Sequence, residues 1–197
     1  MPEEPLPPSA EPAVHDPDGE LVRRAAEGDG RAWQALVDRH LGLVHALATR
    51  LLGSRAEAED VAQETFLRAW RHIDRWRPGQ ARWGTWLCRV ALNLCRDRLR
   101  RPRPLALDEE LADSRPSPVA GLQAEAVTVQ VRAALDRLPE RQREALVLCY
   151  YEQMSNIEAA QVMEVSVEAL ESLLSRARRA LRRDLAGQAS DLLGEVT

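Results

Sequence analysis

The sequence predicts an all-α protein: two small helical domains joined by a flexible acidic linker. Three observations carry this. Apolar residues recur at three- and four-residue steps over most of the chain, and no alternating run suits a strand. Ser followed three residues later by Glu, a helix-start signal, precedes two of these runs. Prolines at positions 102, 104, 116 and 118 flank an acidic middle and forbid a long helix between the two periodic halves. A chain of 197 residues with 45% hydrophobic content has room for one ordinary domain or two small ones.

Residues 1–18 are rich in Pro, Glu and Asp and are expected to be a disordered N-terminal tail. The first domain is placed at residues 19–101. Its opening half, LVRRAAEGDGRAWQALVDRHLGLVHALATRLLG, gives two or three helices, broken at Gly28–Gly30 and ending at Gly53. Ser54 caps the next helix, with Glu57 positioned for a capping box. On that helix, spanning about Glu57–Arg75, Ala62, Phe66, Ala69 and Ile73 form the core stripe. Residues 102–124 are the linker, 125–185 the second helical domain, and 186–197 a weakly structured C-terminal tail.

In the second domain one helix covers about Glu140–Tyr151. Ser155 opens another with Glu158 completing its capping box, and a turn at Glu164–Val165 leads to a helix capped by Ser166 and running to about Arg183. Val167, Leu170, Leu174, Ala177 and Leu181 repeat as its buried stripe, while Glu168, Ser172, Ser175, Arg176, Arg179 and Arg183 line the opposite face. This rhythm fits a helix-turn-helix whose last helix enters a major groove. It fits equally a plain three-helix bundle with a solvated charged face.

The formal net charge is −4, and alone it does not suggest a nucleic-acid binder. The distribution does. Between Arg68 and Arg101 ten arginines face only Asp74 and Asp97, and the same stretch holds Trp70, Trp76, Trp83 and Trp86. All basic residues are arginine, which stacks on bases and grips phosphate bidentately. Arg89, Asn93, Arg96 and Arg100 share one helix face, with Asp97 close by. Trp76 and Trp83 flank a loop containing Arg77, Pro78, Gly79 and Arg82. Rings beside arginines make a platform for unpaired bases, each stacked base worth ~1–3 kcal/mol. Some of these rings must also be core, and Trp86 is the expected one. On the preceding helix Asp60, Gln63, Glu64, Leu67 and Arg71 share a face, where an apolar Leu67 among charges suits a protein contact or a merely solvated surface.

Cys88, Cys95 and Cys149 are odd in number and form no CxxC pair, which argues against a disulfide framework and a zinc site and for reduced, half-buried thiols. No nucleophile–base set, metal cluster or phosphate loop is legible, so no catalytic residue, metal or cofactor is expected. No signal peptide or membrane span is legible either, and the expected location is the cytoplasm.

AEDVAQETFLRAWRHIDRW, WGTWLCRVALNLCRDRLRR, RAALDRLPERQREALVLCYYEQMS and SVEALESLLSRARRALRR together resemble the bacterial RNA polymerase sigma factors, in particular the two-domain extracytoplasmic-function (ECF) group. The resemblance covers roughly residues 18–185. It implies that Asp60, Gln63, Glu64 and Leu67 dock on core RNA polymerase, through its β′ coiled coil. It implies that Trp76, Arg77, Arg82, Trp83, Arg89, Asn93, Arg96, Asp97 and Arg100 bind the −10 promoter element. It implies that Ser166, Glu168, Glu171, Ser172, Ser175, Arg176 and Arg179 face the −35 element. The acidic linker around Asp108–Asp113 falls where the family threads a linker through the active-site cleft and RNA exit path of core polymerase, whose β′ and β subunits the resemblance implies as partners. The expected function is promoter recognition and melting under the control of an anti-sigma factor. Melting costs base stacking, ~1.4 kcal/mol per step, which captured bases and backbone arginines offset.

The sequence departs from the family in its second domain. Glu171 and Leu173 stand where basic residues are common, and Glu164 where a glycine is common. Seven glutamates (140, 144, 152, 158, 164, 168 and 171) face only Arg141 and Arg143 in that stretch. Such a face repels phosphate, although Glu171 can accept from a cytosine amine. The expectation is an atypical −35 element or binding dominated by the −10 module. The alternative is a sigma-like decoy that sequesters an anti-sigma factor without supporting transcription.

Overall fold

Two helical units pack face to face through the basic helix of the first and the acidic short helices of the second. The structure is a computed structural model and describes residues 16–76, 82–100 and 133–194, with side chains as far as residue 184. Among the described residues all regular structure is helical. The predicted linker, most of the N-terminal tail and Arg77 lie outside them.

The first unit holds α1 (Gly19–Ala26), α2 (Gly30–Leu52), α3 (Arg55–His72) with a 3-10 turn at Ile73–Arg75, and α4 (Trp83–Arg100). Local chemistry sets these boundaries. Asp29 caps α2 by accepting from Arg31 N at 2.9 Å and Ala32 N at 3.2 Å, a cap worth ~1 kcal/mol. Gly53 ends α2 at φ 72°, a left-handed conformation that suits glycine. Ser54 caps α3 through Glu57 N at 3.3 Å. The predicted stripe Ala62, Phe66, Ala69 and Ile73 is buried, and it meets Leu36, Val44, Leu47 and Leu51 of α2 and Leu87, Ala91 and Leu92 of α4 in one core.

The second unit holds α5 (Glu140–Leu146), which widens into a π-helical turn at Val147–Tyr151, then α6 (Asn156–Met163) and α7 (Val167–Gly194). The capping box of Ser155 and Glu158 forms in both directions. Ser166 Oγ caps α7 through Ala169 N at 3.2 Å. Leu170, Leu174 and Ala177 are buried as the pattern requires, with Val167 and Leu181 at the edge. The turn residue Glu164 takes φ 56°, the left-handed conformation that a glycine adopts without strain.

Three expectations need correcting. The predicted tail ends too late. Asp18 is 3% exposed, and its carboxylate binds His40 at 2.7 Å and also pairs with Arg39. Asp16 Oδ2 accepts from Trp83 N at 2.8 Å, tying the segment before α1 to the first residue of α4. Asp16 and Asp18, placed in that tail from the sequence, here hold the start of α4 and a buried ion pair. At the other end α7 continues to Gly194 rather than stopping near Arg183; no proline follows, and a lone Gly187 costs a helix only ~1 kcal/mol. Cys88 and Cys95 are fully rather than half buried, and only Cys149 is intermediate.

Candidate polymerase and nucleic-acid interfaces

Three surfaces carry the residues singled out from the sequence. The first is the outer side of α3. Asp60, Gln63 and Leu67 are exposed there, and Glu64 is half-buried beside Arg68, whose Nε donates to it at 2.8 Å. That hydrogen bond holds the Glu64 carboxyl below the usual carboxylate range. Between α2 and α3 lies an apolar groove lined by Trp33, Val37, Leu41, Phe66, Leu67 and Trp70. Leu41, Leu67 and Trp70 are 44%, 44% and 47% exposed. Trp70 stands edge-on to Trp33 with ring centroids 5.0 Å apart, so its position is fixed. The sequence reading found Leu67 and missed the rest of the groove. The signal was present: Trp33, Val37 and Leu41 fall four apart on α2, opposite Phe66 and Trp70 four apart on α3.

The second surface is α4 and the aromatic cluster at its start. Trp76, Trp83 and Trp86 contact one another at centroid distances of 5.2, 5.9 and 5.1 Å, and Trp86 stacks on His72 at 5.1 Å. Trp83 is fully buried. It therefore presents no face to a base and serves as core, which corrects its assignment to the base-stacking platform. Trp86, expected to be the core ring, is half-buried instead. The pattern explains this: Trp83, Leu87, Ala91 and Leu94 continue one apolar stripe, which Trp86 leaves.

The arginines of α4 and its surroundings point at the second unit. Arg96 makes a bidentate pair with Glu144, Nε to Oε1 at 2.7 Å and Nη2 to Oε2 at 2.8 Å, while its Nη1 donates to Asn93 Oδ1 at 3.1 Å. Arg82 Nη1 donates to Glu158 at 2.7 Å, and Arg89 lies 3.5 Å from Glu164. The α2 residue Arg50 donates to Glu152 at 2.6 Å and sits 5.0 Å from the Tyr151 ring centroid. Burial pushes the Glu152 carboxyl up, and the charge and hydrogen bond of Arg50 only partly offset that. Asp97 and Arg100 remain exposed.

The third surface is the outer face of α7. Glu168, Glu171, Ser172, Ser175, Arg176 and Arg179 are all exposed. Ser166 spends its hydroxyl on the cap. Glu168 is held below the usual carboxylate range by its own backbone N–H and then by Ser166, as expected at a positive helix end. Glu171 accepts from Asn156 Nδ2 at 3.3 Å, which anchors it to α6 at the helix-turn-helix corner.

Two helical units, one with an exposed apolar groove and a basic face and the other a helix-turn-helix, define a DNA-binding transcription subunit. Residues 36–104 match the family model Sigma-70 region 2, and residues 128–181 match Sigma-70, region 4. The chain is 31% identical to the ECF RNA polymerase sigma factor SigW of Bacillus subtilis over 83% of its own length and 94% of that protein. It is 35% identical to the RNA polymerase sigma factor CnrH of Cupriavidus metallidurans, covering 84% of this chain and 93% of that one. The solved structure of CnrH in complex with the cytosolic domain of CnrY superposes with a TM-score of 0.64 at 33% identity, covering 91% of this chain and 99% of that one. The chain belongs to the ECF RNA polymerase sigma factors. It is the subunit that directs core polymerase to −10 and −35 promoter elements and melts promoter DNA.

Proposed function

We propose a division of labour among the three surfaces. The groove between α2 and α3, with Asp60, Gln63, Glu64 and Leu67 on its rim and floor, docks on a coiled coil of the polymerase β′ subunit. The observation that carries this is the exposure of Leu41, Leu67 and Trp70 side by side next to acidic side chains, since adjoining large apolar residues left in water mark a contact surface. Arg82, Arg89, Asn93, Arg96, Asp97 and Arg100 bind the −10 region, with Trp76 and Trp86 as the rings nearest to a captured base. Glu171, Ser172, Ser175, Arg176 and Arg179 of α7 read the −35 region, and Ser166 and Glu168 set the start of that helix. The chain works in the cytoplasm, and an anti-sigma factor covers one or both units; the support is that CnrH has been solved with the cytosolic domain of CnrY bound.

The test is transcription in vitro with sigma-free core polymerase and fragmented genomic DNA of the source organism, mapping RNA 5′ ends. Discrete starts that share a pair of upstream motifs are expected. Binding to core without specific starts would overturn the assignment and favour a decoy that only sequesters an anti-sigma factor. The arginine–tryptophan segment speaks against a decoy, because sequestration needs no melting surface.

A further inference from the structure

The excess of glutamate in the second unit is poorly suited to DNA, yet it has a partner in this chain. Four of the seven glutamates between 140 and 171, namely Glu144, Glu152, Glu158 and Glu164, each pair with an arginine of the first unit. They come from α5, the residue that follows the π-helical turn, α6 and the turn before α7, which are separate places in the chain that converge on α4, the residue before it and the end of α2. A carboxylate offers arginine the same planar pair of oxygens that a phosphate does. Three of the four arginines, Arg82, Arg89 and Arg96, belong to the proposed −10 surface. In this arrangement the second unit holds the positions that DNA phosphates would take.

We propose that the chain masks itself: Glu144, Glu152, Glu158 and Glu164 stand in for promoter phosphates on the arginine face of the first unit, and the two units must part before α4 can bind DNA. The apolar contact of α4 with α6 supplies attraction, and the ion pairs supply registry. Buried pairs such as Arg96–Glu144 contribute more to geometry than to net stability, because desolvation offsets much of their Coulomb gain. Such a closed state is specific without being tight, so a partner that binds the opened units can displace it. The outer face of α7 is not covered, so masking falls on the −10 surface alone. The inference rests on the assignment of α4 as that surface.

The experiment uses the full chain without polymerase. A variant carrying Glu144→Gln, Glu152→Gln, Glu158→Gln and Glu164→Gln is compared with wild type and with a charge-matched control, Glu20→Gln, Glu27→Gln, Asp136→Asn and Asp184→Asn. Two quantities are read: the radius of gyration by small-angle X-ray scattering, and the affinity for a fluorescent mixed-sequence 20-nucleotide DNA single strand. The interface variant is expected to expand and to bind tenfold or more tightly, while the control gains much less. Equal gains in both would mean simple charge reduction and would overturn the proposal, as would no gain in the interface variant. If circular dichroism shows the quadruple variant unfolded, the pair Glu158→Gln and Glu164→Gln is used, with about a threefold gain expected and the same overturning outcomes. Transcription with core polymerase separates the two readings: a failed sigma assignment gives no specific starts from any variant, whereas failed self-masking leaves starts intact and free-chain binding unchanged.

Discussion

Arg96 and Glu144 lie 48 positions apart and meet in a bidentate pair, their side chains only 11% and 2% exposed. Glu144 also lies 3.7 Å from Arg141 on its own helix. Removing one member of a buried pair leaves an uncompensated charge, ~3–5 kcal/mol in a rigid core. Here the partners sit on two units, so the chain can escape part of that cost by separating them and hydrating the orphan. Glu144→Ala is therefore expected to open the chain before unfolding it. Scattering should show expansion in dilute buffer, and urea should show a transition that begins earlier and is less cooperative. The double replacement Arg96→Met with Glu144→Leu fills the same space without charge, and should restore compactness to near wild type.

The Asp18–His40 contact fixes where the first unit begins. Burial opposes the charged carboxylate, but the His40 hydrogen bond and charge, followed by Arg39, outweigh it, so the Asp18 pKa lies below the ordinary value. A carboxyl with a depressed folded-state pKa stabilises the fold above its unfolded value of about 3.9 and loses that contribution as pH falls through the folded pKa. Asp18→Asn should lower the urea midpoint at pH 7. The gap between wild type and variant should close as pH drops below about 4. A gap unchanged at pH 3 would show that the loss is one of packing rather than charge.

Leu67 and Trp70 test the proposed polymerase groove with little disturbance of the core, because both are nearly half exposed and neither is among the buried residues. Apolar and aromatic anchors at the centre of an interface cost about 2 kcal/mol or more when truncated. Leu67→Ala combined with Trp70→Ala should weaken binding to core polymerase at least thirtyfold in a fluorescence titration, with a thermal midpoint within a few degrees of wild type. A large loss of thermal stability would mark the groove as part of the fold instead.

Much of the fold was legible because its signals are local. The ends of α2, α3 and α6 follow from Asp29, Gly53, Ser54 and the Ser155–Glu158 box, each within a few residues of what it caps. The open face of α7 follows from its own period. The docking of α4 on α6 was not legible, because Arg82–Glu158 and Arg96–Glu144 join residues far apart on either side of the proline-bearing stretch. The hint was charge bookkeeping between halves: an arginine-rich segment in one and a glutamate-rich segment in the other. Ring count misled where aromatics crowd together, at Trp83 and Trp86. There the stripe through Leu87 and Ala91 was the better guide.

The thiols of Cys88 and Cys95 are each pushed up to about 12, first by burial. Only the thiolate attacks a disulfide reagent, and at pH 8 its population at both sites is negligible. In the native chain DTNB is expected to titrate at most one thiol, Cys149, whose pKa is raised by lesser burial. In urea it should titrate three. Rapid reaction of two further thiols in the folded chain would show that Cys88 and Cys95 are accessible to oxidants.

Glu164 combines a local cost with a distant contact. At φ 56° a residue with a Cβ is strained by roughly 1 kcal/mol relative to glycine. Its pair with Arg89 is 41% exposed on the arginine side and 59% on its own and, at 3.5 Å, returns well under that amount. Glu164→Gly should therefore stabilise the helix-turn-helix, raising the thermal midpoint by about 2–4 °C. The same change frees Arg89, so the more stable variant should also bind single-stranded DNA somewhat better as a free chain. Calorimetry and anisotropy on one preparation read both effects. A rise in midpoint without a gain in DNA binding would show that Arg89 is not restrained by Glu164. A fall in midpoint would show that the pair outweighs the strain.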